Sequence, residues 1–363
     1  MYDVMISGYY GFKNSGDDAL LMAMIDNLRM FKKDIKILVL SMNPKETKTI
    51  YGVDAINRFN IFQILRYMRR TKLLINGGGS LIQDITSTQS LMYYLGIIWM
   101  AKKMGCKVMV YANGIGPIEN LKNRRTAQRI INDVDVITLR EKGSRQELKE
   151  LGVNKPPITV TADPAITLEY SKDIQVVLEK EGIKVSKPMV GFSLRDWKGE
   201  EKKYGDIIAR IADYMAERYD VTPVFVPMHY PSDVATSKKI ASKMKNVAYV
   251  IEKKHTVCET LGIVKQMDLL IGMRLHALIY AATLCVPVIG LVYEPKVEGF
   301  LEYANQASAG HVSALEYDQL KKMVDDIWQR RSVVQQEIEQ TTITLKEKAL
   351  ENARIAVELL EGE

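Results

Sequence analysis

A chain of 363 residues, 47% of them hydrophobic, is long for one core, because single cores stop growing near roughly 250 to 300 residues; two α/β domains are expected. No run of about 18 uncharged apolar residues occurs, and the N-terminus MYDVMISGYY has neither a basic region nor a cleavage pattern, so a cytoplasmic protein without a spanning helix is expected. The net charge of +6 is modest, no nucleic-acid-binding signature is present, and Cys106, Cys258 and Cys285 are isolated, which reads as reduced core thiols and no metal site.

Taken in order, the first half alternates β-leaning apolar runs with helical stretches. Val4 to Ser7, Ile37 to Leu40, Leu73 to Ile75, Val108 to Tyr111 and Val136 to Leu139 read as strands. Ala19 to Met30, Ser90 to Met104 and Arg124 to Asn132 read as helices between them, an order that predicts βαβ units and a parallel sheet. Lys and Arg are mostly scattered. One dense patch, Arg66, Arg69, Arg70 and Lys72, reads as a solvated helix face or as a basic amphipathic helix touching anionic lipid on the inner face of the plasma membrane. A second series opens after a charged, Pro-bearing linker near residues 165 to 187, with strands at Met189 to Leu194, Val224 to Val226, Val247 to Ile251, Asp268 to Ile271 and Val286 to Leu291. The expected division is 1–170 for an N-terminal Rossmann-like domain, 185–330 for a C-terminal one, and 331–363 for one or two helices that pack back on the first domain.

Glycine-rich loops follow the early strands. GYYGFKNSGDDALL leads from the first strand into the first helix, where Asn14 or Ser15 caps. Asp17 and Asp18 would repel a diphosphate seated there, which argues against a dinucleotide, while Asp17 or Asp18 can accept hydrogen bonds from sugar hydroxyls, with Asn14 and Asp17 expected on the acceptor side; first-turn acids complementing the helix dipole are the plain alternative. NGGGSLIQD, with Gly78, Gly79 and Asp84, and ANGIGP open a floor at successive strand ends. Arg140 in TLRE and Arg195 in SLRDW stand at equivalent strand ends, as ion-pair partners of Glu141 and Asp196 or as clamps on an anion. In DLLIGMRLHALIYAATLCVPVIGLVYEPK, Arg274 and His276 follow one buried strand, and Tyr293, Glu294 and Lys296 lie in a loop after the next. Ligands of open α/β sheets bind outside the carboxyl ends of strands, so an anionic small molecule is expected there. The plain alternative makes Arg274 an interior ion-pair partner and His276 a satisfied core histidine.

These segments, together with ADPA, resemble the polysaccharide pyruvyl transferases, most closely the CsaB branch, from Ile6 to about residue 296. The resemblance implies two Rossmann-like domains with parallel sheets, GT-B-like architecture and an active site in the interdomain cleft. It also implies phosphoenolpyruvate as donor co-substrate and no cofactor. The implied acceptor is an N-acetylmannosamine unit of an undecaprenyl diphosphate-linked disaccharide, pyruvylated as a 4,6-ketal for the secondary cell-wall polymer that anchors S-layer proteins in Gram-positive bacteria. Carried over by motif, Arg140, Arg195, Arg274, His276 and Lys296 take the donor. His276 is expected as the acid, with Arg274 beside it, and Glu294 or Asp84 as a candidate base. The alternatives are a nucleotide-sugar-dependent glycosyltransferase of similar architecture, for which Glu294 and Glu298 would read a ribose, and a noncatalytic sugar-polymer binding module docked through Arg66 to Lys72.

Overall fold

The structure, a computed structural model, describes residues 1–197, 199 and 201–362. It divides into two compact units. Met1–Phe12, Asp17–Thr167 and Leu345–Glu363 form the first, and Lys13–Gly16 with Leu168–Thr344 the second, Glu363 itself lying outside the described residues.

The first unit runs β1 (Tyr2–Ser7), α1 (Ser15–Phe31), β2 (Ile37–Ser41), α2 (Pro44–Tyr51), β3 (Asp54–Asn57), α3 (Ile61–Met68), β4 (Thr71–Gly77), α4 (Thr88–Lys103), β5 (Lys107–Asn113), α5 (Leu121–Ile131), β6 (Val136–Leu139), α6 (Lys142–Leu151) and β7 (Ile158–Val160). Among the described residues its seven strands are all parallel, in the order β3-β2-β1-β4-β5-β6-β7. Helices cover both faces, which is why central strands such as β2 and β6 are buried throughout and not alternating. Ile64 and Met68 of α3 join Leu91, Leu95 and Ile98 of α4 on one face. Leu20, Met24 and Leu28 of α1 cover the other.

After a 3₁₀ turn at Pro164–Thr167 the second unit runs α7 (Ile174–Lys180), β8 (Met189–Ser193), α8 (Glu201–Tyr219), β9 (Thr222–Phe225), α9 (Ser232–Ala241), β10 (Tyr249–Val250), α10 (Val257–Lys265), β11 (Leu269–Gly272), α11 (Leu275–Thr283), β12 (Val288–Val292), α12 (Pro295–Tyr303), β13 (Ala307–His311) and α13 (Tyr317–Glu361). Six parallel strands are ordered β10-β9-β8-β11-β12-β13 among the described residues. The expected linker region is folded, since α7 lies inside it, and the C-terminal helical segment is one continuous helix.

Several elements escape a reading of apolar runs. β3 (DAIN) and β13 (ASAGH) are short edge strands without a continuous apolar stretch. The basic patch is split. Arg66 lies on α3, Arg69 caps it, and Lys72 stands on β4, where its ammonium pairs with Asp3 at 3.0 Å. Lys296 is likewise not in a loop but in the first turn of α12, started by Pro295 with Glu294 as N-cap.

Each sheet reverses strand order once, at β1/β4 in the first unit and at β8/β11 in the second. Open α/β sheets bind ligands at the carboxyl ends of the strands beside such a switch point.

Candidate active site

In the second unit, the switch point is bounded by Arg195 beyond β8 and by Arg274 and His276 beyond β11, with Tyr293, Glu294 and Lys296 beyond the neighbouring β12. Met273 donates its backbone N–H to Ser193 O at 2.8 Å, tying the two strand ends together. Arg195 donates to Tyr293 Oη at 3.3 Å, and its guanidinium lies over the Tyr293 and Trp197 rings at 5.0 and 5.3 Å. Lys296 pairs with Glu294 and lies 5.6 Å from the Tyr293 ring. A cation, an aromatic surface and a lysine–carboxylate pair thus share one strand edge.

His276 stands half-buried in the first turn of α11, on the side met by Gly16. A methyl added at Gly16 would lie 2.1 Å from His276 Nδ1, so only glycine leaves room for the imidazole. One turn along α11, Tyr280 Oη donates to Ser15 O at 2.9 Å and lies 3.1 Å from Ser15 Oγ, and Asn14 Oδ1 accepts the Gly16 N–H at 3.1 Å. Residues 13–16 are thereby built into this unit beside the histidine. Asn14, expected to read the acceptor, is part of that brace.

Arg274 is the interior ion-pair partner that the plain reading described. Its Nε donates to Asp233 Oδ2 at 2.8 Å and a terminal nitrogen to Oδ1 at 2.5 Å, while Asp233, 1% exposed, also accepts the Met228 and His229 N–H groups. A guanidinium fork on a buried carboxylate is fixed in direction. Arg140, in the first unit, is similarly engaged. It is 3% exposed and donates to Asp163 at 3.0 Å, to Glu141 at 3.0 Å and to Ser80 Oγ at 3.1 Å. Arg140 and Arg274, both expected to take the donor, therefore sit in carboxylate sockets, because a guanidinium withdrawn from water needs a counter-charge.

At the first unit's switch point, Gly78 and Gly79 follow β4 with φ of +74° and +76°, and Gly78 packs against Leu20 of α1. A methyl at Gly79 would lie 3.5 Å from Asp17 Oδ1, so these residues of the expected acceptor group do come together. Asp84 is elsewhere engaged. It accepts the Glu119 N–H at 2.8 Å, the Asn120 N–H at 3.2 Å and the Asn123 side-chain amide at 2.8 Å. Partial burial pushes its carboxyl up, but those donors outweigh burial and hold it below the usual carboxylate range. A carboxylate held so acidic anchors the start of α5 and is a weak base.

Three residues that the sequence reading did not weigh complete these edges: Asp163, Asp233 and Arg58. Asp163 lies within ADPA, so the motif carried a signal; Asp233 offered only an acid in a first helical turn. Arg58, directly after the unread strand β3, is 5% exposed and donates to Gly8 O at 2.9 Å and Tyr94 Oη at 3.3 Å. Its guanidinium is surrounded by the rings of Tyr93 at 4.3 Å, Phe12 at 5.2 Å, and Phe59 and Tyr94 at 5.4 Å. Phe12 stacks in turn on the exposed Tyr9 at 4.0 Å, so this cation–π cage orders the loop after β1.

Two doubly wound parallel sheets, each with polar side chains at its switch point, define an α/β protein with two Rossmann-like domains of the GT-B kind. The chain belongs to the polysaccharide pyruvyl transferase family, whose profile matches residues 14–295, and is thereby a transferase. Among solved structures it is similar to a putative UDP-N-acetylglucosamine 2-epimerase from Listeria monocytogenes, with a TM-score of 0.70 and 13% identity over 99% of this chain and 97% of that one. The UDP-GlcNAc 2-epimerase from Methanocaldococcus jannaschii gives 0.68 and 14%, covering 100% of both chains. Anabaena Alr3699/HepE, solved in complex with UDP-glucose, gives 0.68 and 10%, again over 100% of both. At these identities the likeness shows the fold alone. A sequence search of curated proteins finds no match.

Proposed function

We propose that this pyruvyl transferase takes phosphoenolpyruvate as donor and an N-acetylmannosamine unit of an undecaprenyl diphosphate-linked disaccharide as acceptor. It forms a 4,6-pyruvate ketal for the secondary cell-wall polymer that anchors S-layer proteins, the CsaB type of reaction. The observation that carries this reading is the second unit's switch point, where Arg195, Arg274, His276 and Lys296 stand at the ends of three adjacent strands. Phosphoenolpyruvate brings about three negative charges near neutral pH, which such an edge can meet. Arg195 and Lys296 lie 5.0 and 5.6 Å from the Tyr293 ring, whereas Arg274 is directed by Asp233.

The chemistry then asks for one acid and one base. His276 delivers a proton to the methylene carbon of the enol phosphate, leaving C2 oxocarbenium-like. One sugar hydroxyl adds to C2 and gives up its proton to a base, for which Glu294, paired with Lys296, is the candidate. The second hydroxyl displaces phosphate from C2 and closes the ring, its proton leaving with the phosphate, so one phosphoenolpyruvate and one diol become one ketal and one inorganic phosphate. No external oxidant or reductant enters the balance. In the first unit, Asp17 beside Gly79 offers a carboxylate for sugar hydroxyls, and Arg140 is held in its Asp163–Glu141 socket.

The test is mass spectrometry of a synthetic lipid-linked disaccharide after incubation with phosphoenolpyruvate, with phosphate release followed in parallel. A mass gain of one pyruvate less water with equimolar phosphate is expected, and the His276→Gln protein should turn over about 10²- to 10⁴-fold more slowly at unchanged melting temperature. Near wild-type turnover in that variant removes the acid role. Release of nucleoside diphosphate from a sugar nucleotide, with no phosphate from phosphoenolpyruvate, would replace the reading with glycosyl transfer.

A further inference from the structure

The outer surface of α3 and α4 takes no part in the chemistry above, yet its composition departs from the rest of the chain. Between Ala55 and Ile118 stand eight basic residues and one acid, Asp84, so this stretch alone carries more positive charge than the whole chain's net +6. Four of the bases are committed: Arg58 is buried, Lys72 pairs with Asp3, Lys102 pairs with Asp135 at 2.8 Å, and Lys107 donates to Leu359 O at 2.6 Å. Arg66, Arg69 and Arg70 are exposed, and among the described residues no carboxylate pairs with them.

Large apolar side chains are exposed on the same two helices and just before them. Phe62 is 83% exposed, Phe59 64% and Ile61 41%, and on α4 Trp99 is 48% and Met92 41% exposed. The two helices cover the same face of the sheet, because Ile64 and Met68 share a core cluster with Leu91, Leu95 and Ile98, and the Phe59 and Tyr93 rings meet edge to face at 5.9 Å. Met92, Gly96, Trp99 and Lys103 follow one another along α4 at spacings of three and four, so they share its outward face, and neither helix contains a carboxylate. A shallow surface cavity of about 280 Å³ lies among Phe62, Leu65, Arg66, Arg69 and Arg70, large enough for a phosphate headgroup.

An exposed apolar patch on a soluble surface marks a place where water is meant to be displaced. Its cationic rim, carried by two helices without a carboxylate, selects the chemistry of the other side. A second copy of this chain, meeting it through the same patch as two-fold symmetry requires, would set arginines against arginines. We propose that this face docks on an anionic phospholipid surface, with Phe62 and Trp99 entering the headgroup layer and Arg66, Arg69 and Arg70 meeting lipid phosphates. Apolar insertion and electrostatic attraction then add, as in interfacial amphipathic helices. The proposal deepens the reading that the acceptor is lipid-linked, and its test needs no acceptor.

The test is flotation of the full chain with phosphatidylcholine vesicles containing or lacking phosphatidylglycerol, at low and physiological salt. Wild type is expected on the anionic vesicles only, less at higher salt. A triple variant, Arg66→Gln, Arg69→Gln and Arg70→Gln, should partition on the order of 100-fold more weakly. A double variant, Phe62→Ser and Trp99→Gln, should also fail to float, and melting curves should show both variants folded. Equal recovery of all three proteins, or equal binding of wild type to neutral vesicles, overturns the proposal. So does a dimer in sedimentation that the double variant breaks while no protein floats. Phosphate release with a lipid-free acceptor should be unchanged in both variants; if wild type shows none, the reaction fails while flotation still decides the docking.

Discussion

Asp233 is the residue on which Arg274 depends for its direction. The carboxylate is almost wholly buried and takes two N–H bonds from its own loop and two from the guanidinium. Replacing Arg274 by Leu leaves that charge inside the protein without its cation, at a cost of about 3–5 kcal/mol, whereas replacing both residues by Leu should recover most of the loss. Urea denaturation of the two single variants and the double one measures this directly. A single Arg274→Leu variant within about 1 kcal/mol of wild type would mean that the pair is solvated and that Arg274 is not held.

At the scale of elements, the brace between the start of α1 and α11 sets the position of His276. Tyr280 holds Ser15, and the Gly16 backbone then lies against the imidazole. Gly16→Ala should drive a methyl into that ring and lower turnover on the order of 100-fold with phosphoenolpyruvate affinity nearly kept, since a misplaced acid costs rate before it costs binding. Steady-state kinetics separates the two: a change in KM with kcat intact would assign Gly16 to donor binding. Of all this, the sequence showed the strand ends but not the brace. Parallel strands covered on both faces carry near-continuous apolar runs, so β1, β2, β4, β5, β6, β8, β11 and β12 stood out and placed Arg140, Arg195, Arg274 and His276 at carboxyl ends. Their partners did not stand out, because Asp233 lies 41 residues from Arg274 and Ser15 lies 265 from Tyr280, separations across which no local pattern runs. β3 and β13 were hidden for another reason: an edge strand half open to solvent has no continuous apolar signal, and with β3 went Arg58 and its aromatic cage.

At the scale of the molecule, α13 begins in the second unit and ends in the first. Ala353, Ala356 and Val357 fill the first unit's core beside Val4, Leu28 and Val136, and Asn352 bonds to Thr161 at 2.7 Å and to Ala162 O at 3.1 Å. A chain ending at Thr344 should therefore lose the fold of its first unit while keeping the second. Limited proteolysis read by mass spectrometry checks this: fragments should arise from residues 17–167 and spare 168–344, and equal protection of both stretches would show the terminal turns to be dispensable.

The same helix sets a timetable for synthesis. The seven strands of the first sheet leave the ribosome well before the turns that cover part of their core, and at ordinary elongation rates the wait for nearly two hundred further residues is roughly 10–40 s. Through that interval the nascent first unit exposes the apolar strip that Ala353, Ala356 and Val357 later fill. The order in which the chain is made is thus the reverse of the order in which its first unit can be finished, and that window is where a holdase or a misfolding partner would compete with the chain's own last helix.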